Sequence, residues 1–405
     1  MDSANISVPD SVRRLDIDPY DDSTLENPFL MHETVRAAGS VAFMERYGVY
    51  VMGRYTDIVP VLKDWQRFSS TSGSGIADIR KPGAWRAPSP IVEVDPPDHT
   101  RVRMALQRVL TPMLIREWKQ QFADYAQKLV DELVDAGEVD VVSELAERFV
   151  ADVFPQAIGW ADSPGRSEKL FLLGQLNFDG QGPRNARFNA TEAAAAKIID
   201  WNNAQMQRDA LMPGGFGQKI YEAADRGEIE PETAPLLIRS FLRGGLDTSS
   251  SMISSAIQLL AKAPDQYELL RQDPTKIRNV LDEAMRLETP IQTVCRLTME
   301  DVTFDDGRTV PKDNKIIILL ASANRDPAAW ERPDEMDITR KTPTHLGLGV
   351  GVHMCIGQMI ARMEGELILK ALIERVASIR SVGPTRRHLN NNLRSFASVP
   401  VELKS

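Results

Sequence analysis

Residues His345 to Gly357 read HLGLGVGVHMCIG, with glycine at 347, 349 and 351 and one of only two cysteines in a chain of 405 residues. Alternating glycines cost backbone entropy that an ordinary loop has no need to spend. Either the backbone turns there in ways a side chain forbids, or something lies flat against it. The next stretch places Met359, Ile360, Met363, Leu367, Ile368, Ala371 and Leu372 at helical spacing. Cys355 is therefore expected where a loop becomes a helix.

Three readings of this segment compete. A nucleotide cradle fails, because position 352 is Val, so G-x-G-x-x-G is not completed, and no Gly-Lys-Ser/Thr follows. A tight turn that buries an inert thiol remains open, since free cysteine is among the most buried residue types. The third is a metal-ligating thiolate at a helix N-terminus, where free N–H groups favour ionised sulfur. One thiolate with no second soft ligand nearby suits the axial position of a haem.

Bulk properties narrow the class. The net charge of −9 argues against nucleic acid or an anionic membrane as the main partner. The N-terminal MDSANISVPDSVRRLDIDPYDD has no apolar core, so neither signal peptide nor membrane anchor is expected there. No apolar run approaches the ~18 residues that spanning would need. Cys295 and Cys355 form no C-x-x-C, which disfavours disulfide frameworks, zinc ribbons and iron–sulfur clusters. A cytoplasmic location is expected.

Along the chain, NPFLMHETVRAAG reads as a helix and VAFMERYGVYVMG as a hairpin turning near Tyr47-Gly48. A Gly/Ser/Pro-rich stretch over 69–98 has no periodicity, and a loop of that length is usually functional or disordered. From His99 to about Lys262 the pattern is helical, broken at ADSPGRS and within 178–187 around DGQGPRN. VTFDDGRTVP and KIIILLAS read as strands. The expectation is one domain over 1–405, mainly α with a minor β portion.

The glycine loop followed by QMIARME resembles the haem loop of the soluble bacterial cytochromes P-450. The family usually has Phe seven residues before the cysteine; here Leu348 stands there. EAMR (Glu283 to Arg286) is similar to the family's E-x-x-R, and Arg340 in ANRDPAAWERPDEMDITR to the arginine completing that ion-pair cluster. The resemblance extends over nearly the whole chain. It implies the triangular helical fold of that family, haem b ligated by Cys355, and propionates bound by His99, Arg103, Arg296 and His353. For each cation taken singly, a surface or capping role is the commoner explanation.

LLIRSFLRGGLDTSSSMISSAIQLLA, from Leu236 to Ala261, puts Gly244-Gly245 and Thr248 in mid-helix. Close helix–helix packing would account for the glycines. The resemblance instead implies the family's oxygen-binding groove, with Thr248 bonded back to the Gly244 carbonyl or to bound oxygen. It further implies Asp247 as proton-relay acid, O2 as co-substrate, and electrons from a ferredoxin or flavodoxin-like donor with its reductase. Arg101, Arg108 and Arg362 are a candidate docking patch for that donor, against the default of solvated arginines. A peroxide-driven haem enzyme, a haem sensor and a haem-free helical protein with an inert cysteine are the competing classes.

W-R-x-P-S at Trp85 to Ser89 and APLLIRS at Ala234 to Ser240 resemble the subgroup that oxidises para-substituted benzoic acids, by O-demethylation or hydroxylation. That implies an aromatic carboxylate held by Arg86, Ser89, Ser240 and Arg243, with Phe178 against its ring. Arg243 replaces a small polar residue of that subgroup. Val294, Cys295 and Gln181 replace aromatics, which suits a wider, more cationic pocket and a longer acid such as a phenylpropanoid. Arg243 has a second reading: it lies one turn before Asp247, so the two also suit an i,i+4 ion pair. A terpenoid or fatty-acid hydroxylase is the alternative within the family.

Overall fold

The computed structural model describes residues 8–341 and 344–405. Its axis is the helix Thr233–Lys262, of 30 residues, in which nearly every side chain from Ser249 to Ala261 is buried. A helix buried on all faces has to satisfy its own polar side chains. Here Ser251 donates to the Asp247 carbonyl at 2.6 Å and Ser254 to the Ser250 carbonyl at 2.8 Å. Pro264 opens the next helix, Pro264–Gln272, directly after the central one stops. Packed on the central helix are Arg166–Asp179, Ile277–Leu287, Gln358–Arg375 and a π-helical turn, Val141–Glu147. One apolar core runs through all of them.

The β portion is mainly one sheet of six strands: β1 Arg13–Leu15, β2 Ala42–Met44, β3 Val49–Met52, β4 Phe68–Ser69, β5 Thr293–Thr298 and β6 Lys315–Leu319. Their order is β1-β2-β3-β6-β5-β4. The expected hairpin is β2 and β3, in antiparallel register Ala42↔Val51, with Gly48 at φ +63° between them. β3 and β6 are buried on both faces, which explains the apolar runs Val49–Met52 and Ile316–Leu319. The helical tract from His99 is interrupted by a strand absent from the sequence reading: Glu138–Asp140 pairs with Pro400–Lys404. Three residues are too few to print a period-2 pattern.

The stretch 69–98 is irregular but firmly held. Buried Glu93 accepts from the Ser74 and Ser89 amides at 3.0 and 2.9 Å. Lys315 Nζ donates to the carbonyls of Ser72, Gly75 and Ala77 at 2.9, 2.7 and 2.7 Å. Two buried charges thus replace the ladder of hydrogen bonds that the segment lacks. The break at 178–187 closes over it. Gly180 admits the Trp85 ring where a Cβ would lie 2.3 Å away.

Glu283, Arg286 and Arg340 form the expected cluster. Arg286 binds both Glu283 oxygens at 2.7 and 2.9 Å, and Arg340 Nε reaches Glu283 at 3.2 Å. Arg286 also donates to the Asn324 and Glu335 carbonyls at 3.2 and 3.0 Å, tying the helix to the loop before the glycine segment. All of this is nearly water-free, so removing the acid strands two cations. Glu283→Ala is expected to destabilise the fold by about 3–5 kcal/mol in denaturant titrations. A loss under about 1 kcal/mol would show the cluster to be peripheral.

Candidate functional site

Cys355 lies between the glycine turns and the helix Gln358–Arg375, as its sequence position requires. Met359, expected on the apolar face, is 61% exposed; the buried face carries Ile360, Met363, Leu367, Ile368, Ala371 and Leu372. Gly349 and Gly351 hold φ of +68° and +73°, and a Cβ on Gly351 would come 2.8 Å from the Leu62 carbonyl oxygen. The loop therefore needs glycine both for its turns and for close approach. Cys355 N–H donates to the Leu348 carbonyl at 2.8 Å. Burial pushes its thiol up, against the pull of the Gly357 and Gln358 amides and of Arg103 and Arg362. Burial outweighs the helix terminus at this sulfur, and a bound metal cation would favour the thiolate.

The sulfur faces a cavity of about 340 Å³ between this loop and the central helix. Leu348 lines it, apolar where the family has Phe, as do Arg103, Arg296 and His353. Arg296 is buried, has one hydrogen bond, to the Cys295 carbonyl at 2.8 Å, and is pushed down to about 10 by burial. Among the described residues no carboxylate pairs with Arg103 or Arg296. His353 Nδ1 and His99 Nε2 are buried without partners. His99 does not reach the cavity wall; its ring packs on His353 at 4.5 Å, and burial lowers it to about 4. Uncompensated cations and orphaned ring nitrogens beside a lone thiol fit a planar iron macrocycle bearing two carboxylates. The inert-cysteine alternative leaves all of these groups without a purpose.

The opposite wall is the middle of the central helix. Thr248 Oγ1 donates to the Gly244 carbonyl at 2.5 Å. The two glycines serve different ends. A Cβ on Gly245 would strike the Phe154 ring at 2.5 Å, so that glycine is needed for packing, whereas Gly244 has nothing within 4 Å and opens on the cavity.

Asp247 points the other way. Its carboxylate lies against Gly174, and Oδ2 is buried without a partner. It lines a second cavity of about 210 Å³ with Glu147, Gln175, four serines and His388. Burial first, then Glu147, hold Asp247 well above the carboxylate range, and Glu147 itself is raised to about 7. The i,i+4 pair with Arg243 does not form: Arg243 faces the first cavity.

Arg86, Ser89, Phe178, Ser240 and Arg243 all line that first cavity. Arg86 is already engaged, binding both Glu93 oxygens at 2.6 and 2.7 Å. Although burial works against it, this contact holds Glu93 down at about 2. Ser89 and Ser240 hydroxyls meet at 3.0 Å. Val294 and Gln181 reach the cavity; Cys295, one residue on along β5, faces away into a separate core. Three residues escape the sequence reading. Arg239 lines the cavity, Glu93 braces it through Arg86 and the Ser89 amide, and their only signal is nearness in sequence to Ser240 and Ser89. Glu364, buried and unpartnered, is raised to about 8 by burial; an acid on an apolar helix face is its signal.

The arginines of the expected docking patch are ion-paired. Arg101, Arg108 and Arg362 are each held by an acid, Glu230 at 3.0 Å, Glu228 at 3.2 Å and Asp282 at 2.6 Å.

A helical fold built on one central helix, with a cysteine-bearing glycine loop facing a threonine groove across a cavity, defines a haem-thiolate oxygenase. Comparison with known proteins agrees. The cytochrome P450 family model matches residues 216–378. Cytochrome P450 CYP199A2 of Rhodopseudomonas palustris is 43% identical over 97% of this chain and 95% of its own length. The beta-dihydromenaquinone-9 omega-hydroxylase of Mycobacterium tuberculosis is 27% identical, over 95% of this chain and 78% of its own. Among solved structures, cytochrome P450 CYP109Q5 from Chondromyces apiculatus superposes with a TM-score of 0.79 at 25% identity, covering 96% of this chain and 98% of its own. The chain belongs to the cytochrome P450 family. It is a monooxygenase that uses haem b, O2 and electrons from a separate redox partner. Among the described residues no helix is long and apolar enough to cross a membrane.

Proposed function

We propose that this monooxygenase acts on an aromatic carboxylic acid, a para-substituted benzoate or a related phenylpropanoid-type acid, by O-demethylation or hydroxylation. The observation that carries this is the polar end of an otherwise apolar cavity. Two facing hydroxyls, Ser89 and Ser240, lie beside guanidinium groups that outnumber the single acid, Glu93. A carboxylate there is bound by charge-assisted hydrogen bonds, and a para substituent is aimed toward Cys355. Arg86 acts less as a direct anchor than as the Glu93-held brace of the loop carrying Ser89.

Cys355 would hold the haem iron and Arg103, Arg296 and His353 its carboxylates, with His99 packed behind His353; bound there, the haem would supply O2 chemistry that a thiolate ligand favours. The chain's own residues manage protons and water. Asp247, whose pKa burial raises well above the usual carboxylate range, is the proton reservoir. Thr248 exchanges its bond to the Gly244 carbonyl for one to water or dioxygen in the groove, and so positions the proton at the oxygen. The electron donor is a ferredoxin or flavodoxin-like protein, the whole of 1–405 works as one haem domain, and the setting is the cytoplasm.

The test is a titration of the haem-loaded protein with 4-methoxybenzoate, 4-methoxycinnamate, neutral terpenes and fatty acids, following the iron's low-to-high spin change. Aromatic acids are expected to drive the change. A response to terpenes or fatty acids with none to the aromatic acids would contradict the assignment.

A further inference from the structure

The charges around the acid-binding end do not balance for a simple benzoate. Arg86 and Glu93 cancel one another as a bidentate pair. Arg239 and Arg243 remain, and among the described residues neither has a carboxylate partner. Arg239 makes one hydrogen bond, to the Ala87 carbonyl at 3.2 Å. Arg243 makes none: its Nε is buried without an acceptor, and the side chain lines the cavity beside Gly244 and Phe241. Burial, then Arg239 and Arg86, push it down to about 9. That is still above neutral, so Arg243 is a half-buried cation on the cavity wall with no anion beside it.

A monocarboxylate settled on the Ser89–Ser240 hydroxyls neutralises one of the two. Arg243 stands one helical turn beyond Ser240, on the side toward Thr248. A second negative charge on the same ligand falls within its reach. We infer that the preferred substrate carries two anionic charges at the end remote from the iron, as an aromatic dicarboxylate or an aryl phosphate monoester does, with Arg243 as the second anion's partner. This rests on the aromatic-acid reading above and narrows it.

Charge is separable from shape. 4-Methoxyphenyl phosphate and 4-methoxyphenyl sulfate are nearly isosteric, but near pH 7.5 the phosphate carries close to two charges, its second pKa being about 6. Affinities measured by calorimetry and by spin change on the haem-loaded protein should favour phosphate over sulfate by about tenfold or more, the worth of one charge-assisted hydrogen bond. The pair 4-methoxyphthalate and 4-methoxybenzoate asks the same of carboxylates, and whichever pair shows the larger ratio identifies the source of the dianion. Arg243→Ser should bring the ratio toward one, and Arg243→Lys should keep most of it. Wild-type ratios near one in both pairs would overturn the inference while leaving the aromatic-acid reading intact. If no aromatic anion binds and neutral ligands do, both fall. A ratio that survives Arg243→Ser unchanged would also overturn the role given to Arg243.

Discussion

Replacing Cys355 with alanine is expected to abolish monooxygenation and the spectral signature of thiolate ligation, while leaving the polypeptide folded. Among the described residues Cys355 is the one cysteine that lines the cavity, and His353, which also lines it, is held beside Ser70 at 3.1 Å. The structural loss is small. The Cys355 N–H bond to the Leu348 carbonyl is made by backbone, and the turns are set by Gly349 and Gly351. The sulfur also faces a cavity and not packed side chains, so the haem-free protein should lose no more than about 1 kcal/mol in denaturant titration. Turnover by Cys355→Ala comparable with wild type would remove the sulfur from the chemistry. Global unfolding of the variant would show the loop to depend on the thiol itself.

The second large effect concerns Asp247. Asp247→Asn keeps the shape and removes the acidic proton, and the expected result is a fall in turnover of about 10² or more. Haem content and substrate-induced spin change should stay near wild type, because Asp247 touches neither the first cavity nor Cys355. Stability separates this from misfolding. The folded-state pKa of Asp247 is raised, so the folded protein holds a proton that the unfolded chain gives up above about 3.9. The stability linked to that proton is fully present below the unfolded value and is lost as pH rises toward the folded one. Asparagine cannot ionise, so the variant should match or exceed wild-type stability at neutral pH and above. A slow enzyme that is also less stable would point to damage; unchanged turnover would refute the relay.

Much of this is legible in the sequence alone. Cys355 falls at a loop–helix boundary because the apolar period starts just after it. Glu283 and Arg286 share a helix face because three residues bring them there. What fails to show depends on direction or on distant partners. Spacing allows Arg243 and Asp247 to pair, but spacing does not choose between faces. The absence of a side chain at Gly174, on another helix, lets the Asp247 carboxylate turn away. The acids that pair with Arg101, Arg108 and Arg362 lie about 80 to 130 positions off in sequence, so spacing does not announce them. Glu93, the acid that fixes the loop at 69–98, has no pattern to announce it: it is read only from the amides that converge on it.

A thiolate–iron bond at Cys355 is tested directly by the absorption spectrum of the reduced, carbon monoxide-treated wild-type protein. The Soret band should move to the long-wavelength position that a thiolate ligand imposes. A band at the shorter wavelength of nitrogen-ligated haem, in freshly purified and folded protein, would contradict it.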